Sequence, residues 1–127
     1  MYSTVMTGAL QGVSAYPVSV EVDVSPGLPT LSLVGSLSQE VREAKERVCV
    51  ALRNAGFHLP AGRITVNLSP ANRRKEGTAF DLPIAVGLLA AMDRIPGKRV
   101  ENTLFLGEVG LDGEIKGVSG VLPIVRE

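Results

Sequence analysis

Leu82 to Met92 is a run of eleven residues that is apolar on nearly every side. A bilayer span needs about twenty such residues, so this run has to be buried in protein, with apolar partners around its whole circumference. It reads as a central core helix, with Asp81 as its cap and Pro83 tolerated in the first turn. Everything that covers it must come from a chain of 127 residues. That length suits one domain, large enough to build a core without disulfides or metal, and too short for two. Apolar residues make up 45% and charged residues 20%, a globular balance.

The covering elements follow from periodicity. Pro17 to Ser25 alternates, with Val18, Val20, Val22 and Val24 on one face and Ser19, Glu21 and Asp23 on the other, which is a half-buried strand. Ser25-Pro26-Gly27 is a turn, and Leu31 to Val34 is expected to pair back on the first strand. Residues 3–10 are mixed and give no element. From Val41 the period changes: Val41, Ala44, Val48, Ala51, Leu52 and Ala55 fall on one helical stripe. Ser36 or Ser38 can cap that helix, Gly56 can close it, and Val50 points into its polar face. Arg63 to Leu68 alternates again, with Ile64, Val66 and Leu68 inward. After the Ile95-Pro96-Gly97 break, Thr103 to Val109 reads as a strand, Leu111-Asp112-Gly113-Glu114 as a hairpin turn, and Ile115 to Val118 as the return. The expected fold is an α/β or α+β sandwich. Strands around 17–25, 31–34, 63–69, 103–109 and 114–118 form a mixed sheet, and helices near 38–55 and 80–93 pack on one face.

Charge narrows the function classes. Thirteen Lys and Arg offset thirteen Asp and Glu, so no whole-domain field draws the chain to nucleic acid or to a membrane. The strongest local cluster is Arg73-Arg74-Lys75, beside Asn72, in the polar loop from Ser69 to Gly77. Such a cluster can hold phosphate oxygens without reading sequence; the competing reading is a solvated loop paired with Glu76. No aromatic residues interleave to stack bases. Cys49 is the single cysteine and His58 the single histidine, which leaves no disulfide and no multi-histidine metal site. His58 follows a helix end, where a solvated or capping role is expected. There is no G-x-x-x-x-G-K-[ST] phosphate loop and no G-x-G-x-x-G, so no nucleotide cradle is expected. The start has no signal-peptide pattern, and a cytoplasmic protein with no membrane contact is expected.

Three segments, taken in order, resemble a known family. They are Val34-Gly35 leading into Val41-Arg42-Glu43-Ala44-Lys45-Glu46-Arg47-Val48, then Ile64 through Ala71, then Lys75-Glu76-Gly77-Thr78-Ala79-Phe80-Asp81-Leu82-Pro83-Ile84-Ala85. They look like the amino-terminal, Lon-protease-like domain of ComM/YifB-type, magnesium-chelatase-like AAA+ ATPases. Leu106 to Gly113 is similar to that family and, more distantly, to Lon peptidases and to the carboxy-terminal domain of the RadA repair ATPase. The resemblance covers essentially the whole chain. It implies an AAA+ module further along the polypeptide and a chain truncated at its carboxy-terminal end, where VLPIVRE stops without a polar tail.

The same resemblance tests for peptidase chemistry. A Lon-type peptidase uses a serine at the start of the central helix and a lysine after the hairpin as base. Laying the segments together puts Ala79 at the nucleophile and Leu122 near the base, so no catalytic residue is assigned. Thr78 is adjacent, and Lys116 and Ser119 are near the lost lysine. A one-residue shift on a helix turns a side chain by about 100°, and catalysis tolerates little misplacement. The resemblance implies a noncatalytic accessory domain that helps a hexameric motor assemble. ATP and Mg2+ would belong to the missing module, and DNA branch migration during recombination in natural transformation would be the work of the whole protein. Two alternatives stay open: a divergent Lon-like serine peptidase, and a stand-alone DNA-binding module.

Overall fold

The computed structural model describes residues 1–11, 14–96, 100 and 103–116. In chain order the elements are β1 (Tyr2–Gln11), β2 (Ser14–Ser25), β3 (Thr30–Val34), α1 (Gln39–Arg42), α2 (Ala44–Asn54), β4 (Arg63–Ser69), α3 (Asp81–Ala91), β5 (Glu108–Val109) and β6 (Ile115–Lys116). The first four strands form a mixed sheet in the order β1-β2-β4-β3, and β5 and β6 form a separate two-stranded sheet. The architecture is α+β, with the long helices over one face of the mixed sheet.

That face is the one the alternation marks. Val18, Val20 and Val22 of β2 stand beside Val5 of β1 and Val66 and Leu68 of β4, and all are buried with Ile64 in one core. α3 lies across β1 and β2, and α2 packs beside it. The stripe on α1 and α2 is read correctly at Val41, Ala44, Val48, Ala51 and Leu52, all buried, whereas Ala55 is exposed at the helix end. Ser38 caps α1 through its Oγ, which accepts from Val41 N at 3.3 Å. Gly56 closes α2 at φ 93°, the left-handed geometry glycine allows.

Several expectations need correction. β3 does not pair back on β2; it pairs in parallel with β4, which is inserted between them. The burial patterns explain the order: alternate residues of β4 are fully buried, whereas β3 is only half-covered, which suits an edge. Residues 3–10 belong to a full strand. Its inward residues are Ser3, Thr7 and Ala9, small or polar, around the one core valine Val5, while Tyr2, Met6 and Leu10 face outward and are exposed. That distribution inverts the usual signal because α3 comes unusually near. A Cβ built on Gly87 would lie 2.9 Å from Val22 Cγ2, and Ser3 Oγ donates to Gly87 O at 2.7 Å. The strand expected over 103–109 is reduced to Glu108–Val109, with Leu104 forming one parallel bridge to Met6. The hairpin turn is present, with Gly110 N donating to Glu114 O at 2.8 Å and Gly113 at φ 91°. Its strands stand apart from the main sheet.

Asp81 is not the cap of α3. The capping residue is Phe80, which offers no side-chain bond, and Leu82 N instead donates to Gly107 O at 3.0 Å. Asp81 is fully buried and accepts a two-pronged bond from Arg47, at 2.7 Å from Nε and 2.9 Å from Nη2, plus Val109 N at 3.2 Å. The guanidinium is itself tied to Glu40 O at 2.9 Å. One carboxylate therefore joins α1, α2, α3 and β5, in the fork geometry that makes Arg–carboxylate pairs strong. Removing the cation alone strands a buried charge, which typically costs about 3–5 kcal/mol. Arg47→Leu is expected to lose that much in urea unfolding. Arg47→Leu/Asp81→Leu should lose less, since no charge is stranded. Equal losses would mean that the pair is not what holds the helix head.

Candidate functional site

The loop between β4 and α3 carries the predicted basic cluster, but its three residues do not form one patch. Arg73 and Arg74 are exposed, as is Asn72, while Lys75 is fully buried. Arg74 pairs with Glu76 at 3.3 Å across the surface, an ion pair of little energetic weight. Lys75 therefore cannot reach a phosphate. Its Nζ donates to Gly35 O at 2.6 Å and to Pro70 O, and its backbone bridges Leu37, with Lys75 N on Ser36 O and Ser38 N on Lys75 O, both at 2.9 Å.

The turn that receives this lysine is shaped for it. Gly35 has φ 121°, and a Cβ there would lie 2.3 Å from Leu68 O, so the β3–α1 turn crosses the end of β4 at a distance only glycine permits. Ser36 follows with φ 61°. Burial pushes the Lys75 amine below its usual value of 10.5, as expected for an ammonium taken out of water.

Tyr16 completes the site and has no place in the basic cluster read from the sequence. It is buried at the start of β2, on the same face as Val18, Val20 and Val22, so extending the alternation by two residues marks it as inward. Its hydroxyl donates to Arg74 O at 3.2 Å, and Arg73 Cζ stands 4.6 Å from its ring centre, a cation–π contact. Burial raises the phenol's pKa, with Arg73 opposing. The aromatic residue absent from the loop in sequence is supplied from a neighbouring strand.

At the head of α3, Ala79 presents a methyl group, and its carbonyl accepts from Gly107 N at 3.0 Å. Thr78 is half-buried next to it, with its own carbonyl accepting from Asp81 N at 3.3 Å. Leu122 and Ser119 lie outside the described residues, and Lys116 falls in β6. His58 is exposed; Cys49 is half-buried, with its thiol pKa raised by burial. Among the described residues no group of three His, Cys, Asp or Glu could hold a metal ion, and no helix is long and apolar enough to cross a membrane.

Lys75 makes stability depend on pH with a definite sign. Its native pKa is lowered, so between that value and 10.5 the unfolded chain binds more protons than the folded one. Stability attributable to Lys75 therefore rises as pH climbs through that window and is at its lowest below it. Urea midpoints of the parent, measured from neutral pH toward 10.5, should rise relative to those of Lys75→Met. Parallel curves would show that the amine titrates as it does in the unfolded chain.

A model described as subunit ChlI of Mg-chelatase matches residues 20–127. The competence protein ComM of Haemophilus influenzae is 47% identical over 121 residues, covering 95% of this chain and 24% of that protein. The YifB protein of Escherichia coli K12 is 43% identical over 125 residues, covering 98% of this chain and 25% of its own length. The YifB protein of Salmonella typhimurium is 44% identical over 123 residues, with 97% and 24% covered. The chain thus spans about a quarter of the curated relatives it matches. With 108 consecutive positions of its length matched by one model, the chain belongs to the Mg-chelatase ChlI family, in company with ComM and YifB.

Proposed function

We propose that this chain is a noncatalytic accessory domain of a ComM-like, Mg-chelatase-related AAA+ ATPase. In this reading the whole protein is a cytoplasmic homo-hexamer that uses ATP and Mg2+, bound outside this chain, to drive DNA branches during recombination in natural transformation. The observation that carries the noncatalytic assignment is Ala79. At the head of the buried helix, where the resembling peptidases hold a serine, this chain has a methyl group whose peptide is committed to Gly107. Leu82 N, which such a helix start would offer to a developing negative charge, donates to Gly107 O. The competence name of the Haemophilus relative supports the role in transformation.

DNA contact falls to Arg73 and Arg74, because Lys75 is withdrawn. Two phosphate contacts contribute about 1.8 units to the slope of log K against log salt on duplex DNA, at roughly 0.9 each. Arg73→Ala/Arg74→Ala in the full-length ATPase is expected to flatten the slope by about that amount and to weaken DNA binding by a similar factor for every sequence. Stability should change by no more than about 1 kcal/mol, the worth of an exposed cation–π contact. Unchanged affinity, slope and DNA-stimulated ATP hydrolysis would remove the loop from the DNA path and leave the domain a role in assembly. The peptidase reading is tested separately: purified chain is expected to cleave neither fluorogenic peptides nor casein. Turnover that survives repurification and disappears in Thr78→Ala would overturn the noncatalytic assignment.

A further inference from the structure

A lysine that follows two exposed arginines in a polar loop would ordinarily join them in water. Burying its ammonium costs free energy unless the site repays it with hydrogen bonds. Here the amine makes two bonds and the Lys75 backbone two more, and all four serve one geometric end. The backbone pair with Ser36 and Ser38 fixes the Lys75 peptide against the turn after β3. The amine then reaches Gly35 O in that turn and Pro70 O at the far end of its own loop. The bond to Pro70 closes residues 70–75 into a ring, and Ala71, Asn72, Arg73 and Arg74 are the exposed residues on its rim. Tyr16 supplies a third tether through Arg74 O and a seat under the Arg73 guanidinium.

We propose that Lys75 is a positioning residue, whose buried amine clamps this loop so that Arg73 rests on Tyr16 and the Arg73–Arg74 pair is presented to DNA phosphates in one fixed arrangement. The clause about DNA rests on the function proposed above; the clause about Arg73 does not. An apolar side chain of similar length fills the same space but leaves Gly35 O and Pro70 O without a donor, and a buried acceptor left unpaired is costly. The loop then relaxes toward water, and the arginines must be ordered each time they bind, which is the cost that preorganisation removes. A lysine that merely stabilised the core would lower stability without moving the arginines.

The test reads the two clauses separately. In the arginine-labelled chain, the Arg73 side-chain protons should be shifted upfield by the Tyr16 ring, and Tyr16→Leu assigns that shift by abolishing it. Lys75→Met should abolish it as well, in a chain whose far-ultraviolet circular dichroism is unchanged; an Arg73 shift that persists in Lys75→Met overturns the proposal. In the full-length ATPase, Lys75→Met should weaken DNA binding roughly fivefold or more at every salt concentration, the cost of ordering two long side chains. Arg73→Ala/Arg74→Ala should also flatten the salt slope, giving about a 12-fold smaller change in affinity across a fourfold change in salt. Adding Lys75→Met to the double variant should have no further effect. A Lys75→Met affinity equal to the parent's, beside a weakened and flattened double variant, overturns the DNA clause. If the double variant itself leaves the slope unchanged, the DNA reading fails, and the Arg73 shift alone decides the Lys75 clamp. Should Lys75→Met not fold, Lys75→Ala is titrated with propylammonium, which restores the missing stem and amine. Recovery of the Arg73 shift supports the clamp, and failure to recover it at saturating amine overturns it.

Discussion

The buried carboxylate of Asp81 is the interaction on which the arrangement of the helices depends. Three donors converge on it, two from Arg47 and one from the backbone of Val109. Because Arg47 also bonds the carbonyl of Glu40, the start of α3 is referenced to α1, α2 and the β5–β6 hairpin through one group. Apolar contact alone would not do this. The buried residues of α2 are aliphatic, their attraction is non-directional, and beyond the close approach at Gly87 a helix as uniformly apolar as α3 carries little that fixes its rotation. A charged fork with fixed geometry selects one rotation, and Asp81 at the first turn also suits the positive end of the helix dipole.

Lys75 solves a different problem, with no counter-ion among the described residues. Its partners in the structure are carbonyl oxygens, from Gly35 and Pro70, and burial lowers its pKa. An ammonium there is tolerated because two segments that lack regular pairing each need a donor. The β3–α1 turn passes so near β4 that only glycine fits at position 35, and the loop after β4 has left the sheet. The same lysine that a charge count assigns to a surface patch is thus part of the scaffold beneath it. The patch is narrower than the sequence suggests, and Arg73 within it is seated on an aromatic ring.

Close packing of α3 explains the composition of the strand beneath it. Gly87 faces Val22, and Ser3 reaches the carbonyl of Gly87, so β1 presents small residues inward where a more distant helix would have demanded large ones. Thr7 is buried in that same inward row with no partner for its hydroxyl among the described residues. The outward residues of β1 are correspondingly apolar at Tyr2, Met6 and Leu10. Tyr2 and Thr4 join Glu21 and Asn67 in a hydrogen-bonded row across the open face of the sheet.

What the sequence determined by itself was everything carried by local periodicity. The alternation of Val18 to Val24 and of Ile64 to Leu68, the stripe from Val41 to Leu52, the uniformly apolar Leu82 to Met92 and the glycine-bearing hairpin turn each encode which side of an element meets water. The order of motifs that resembles ComM and YifB is equally local information, and the family match bears it out. Tertiary structure decided which element meets which. The placement of β4 between β2 and β3, the use of Asp81 to hold Arg47 instead of capping a helix, and the burial of Lys75 against Gly35 all depend on partners 30 or more residues apart. β1 is a strand through pairing with β2 that no pattern of its own announces. Periodicity records that a residue is inward; it holds no record of what stands opposite. For a valine the distinction hardly matters, because any apolar partner serves. For a carboxylate, an ammonium or a guanidinium the partner's position is the whole of the energetics, and only the folded chain supplies it.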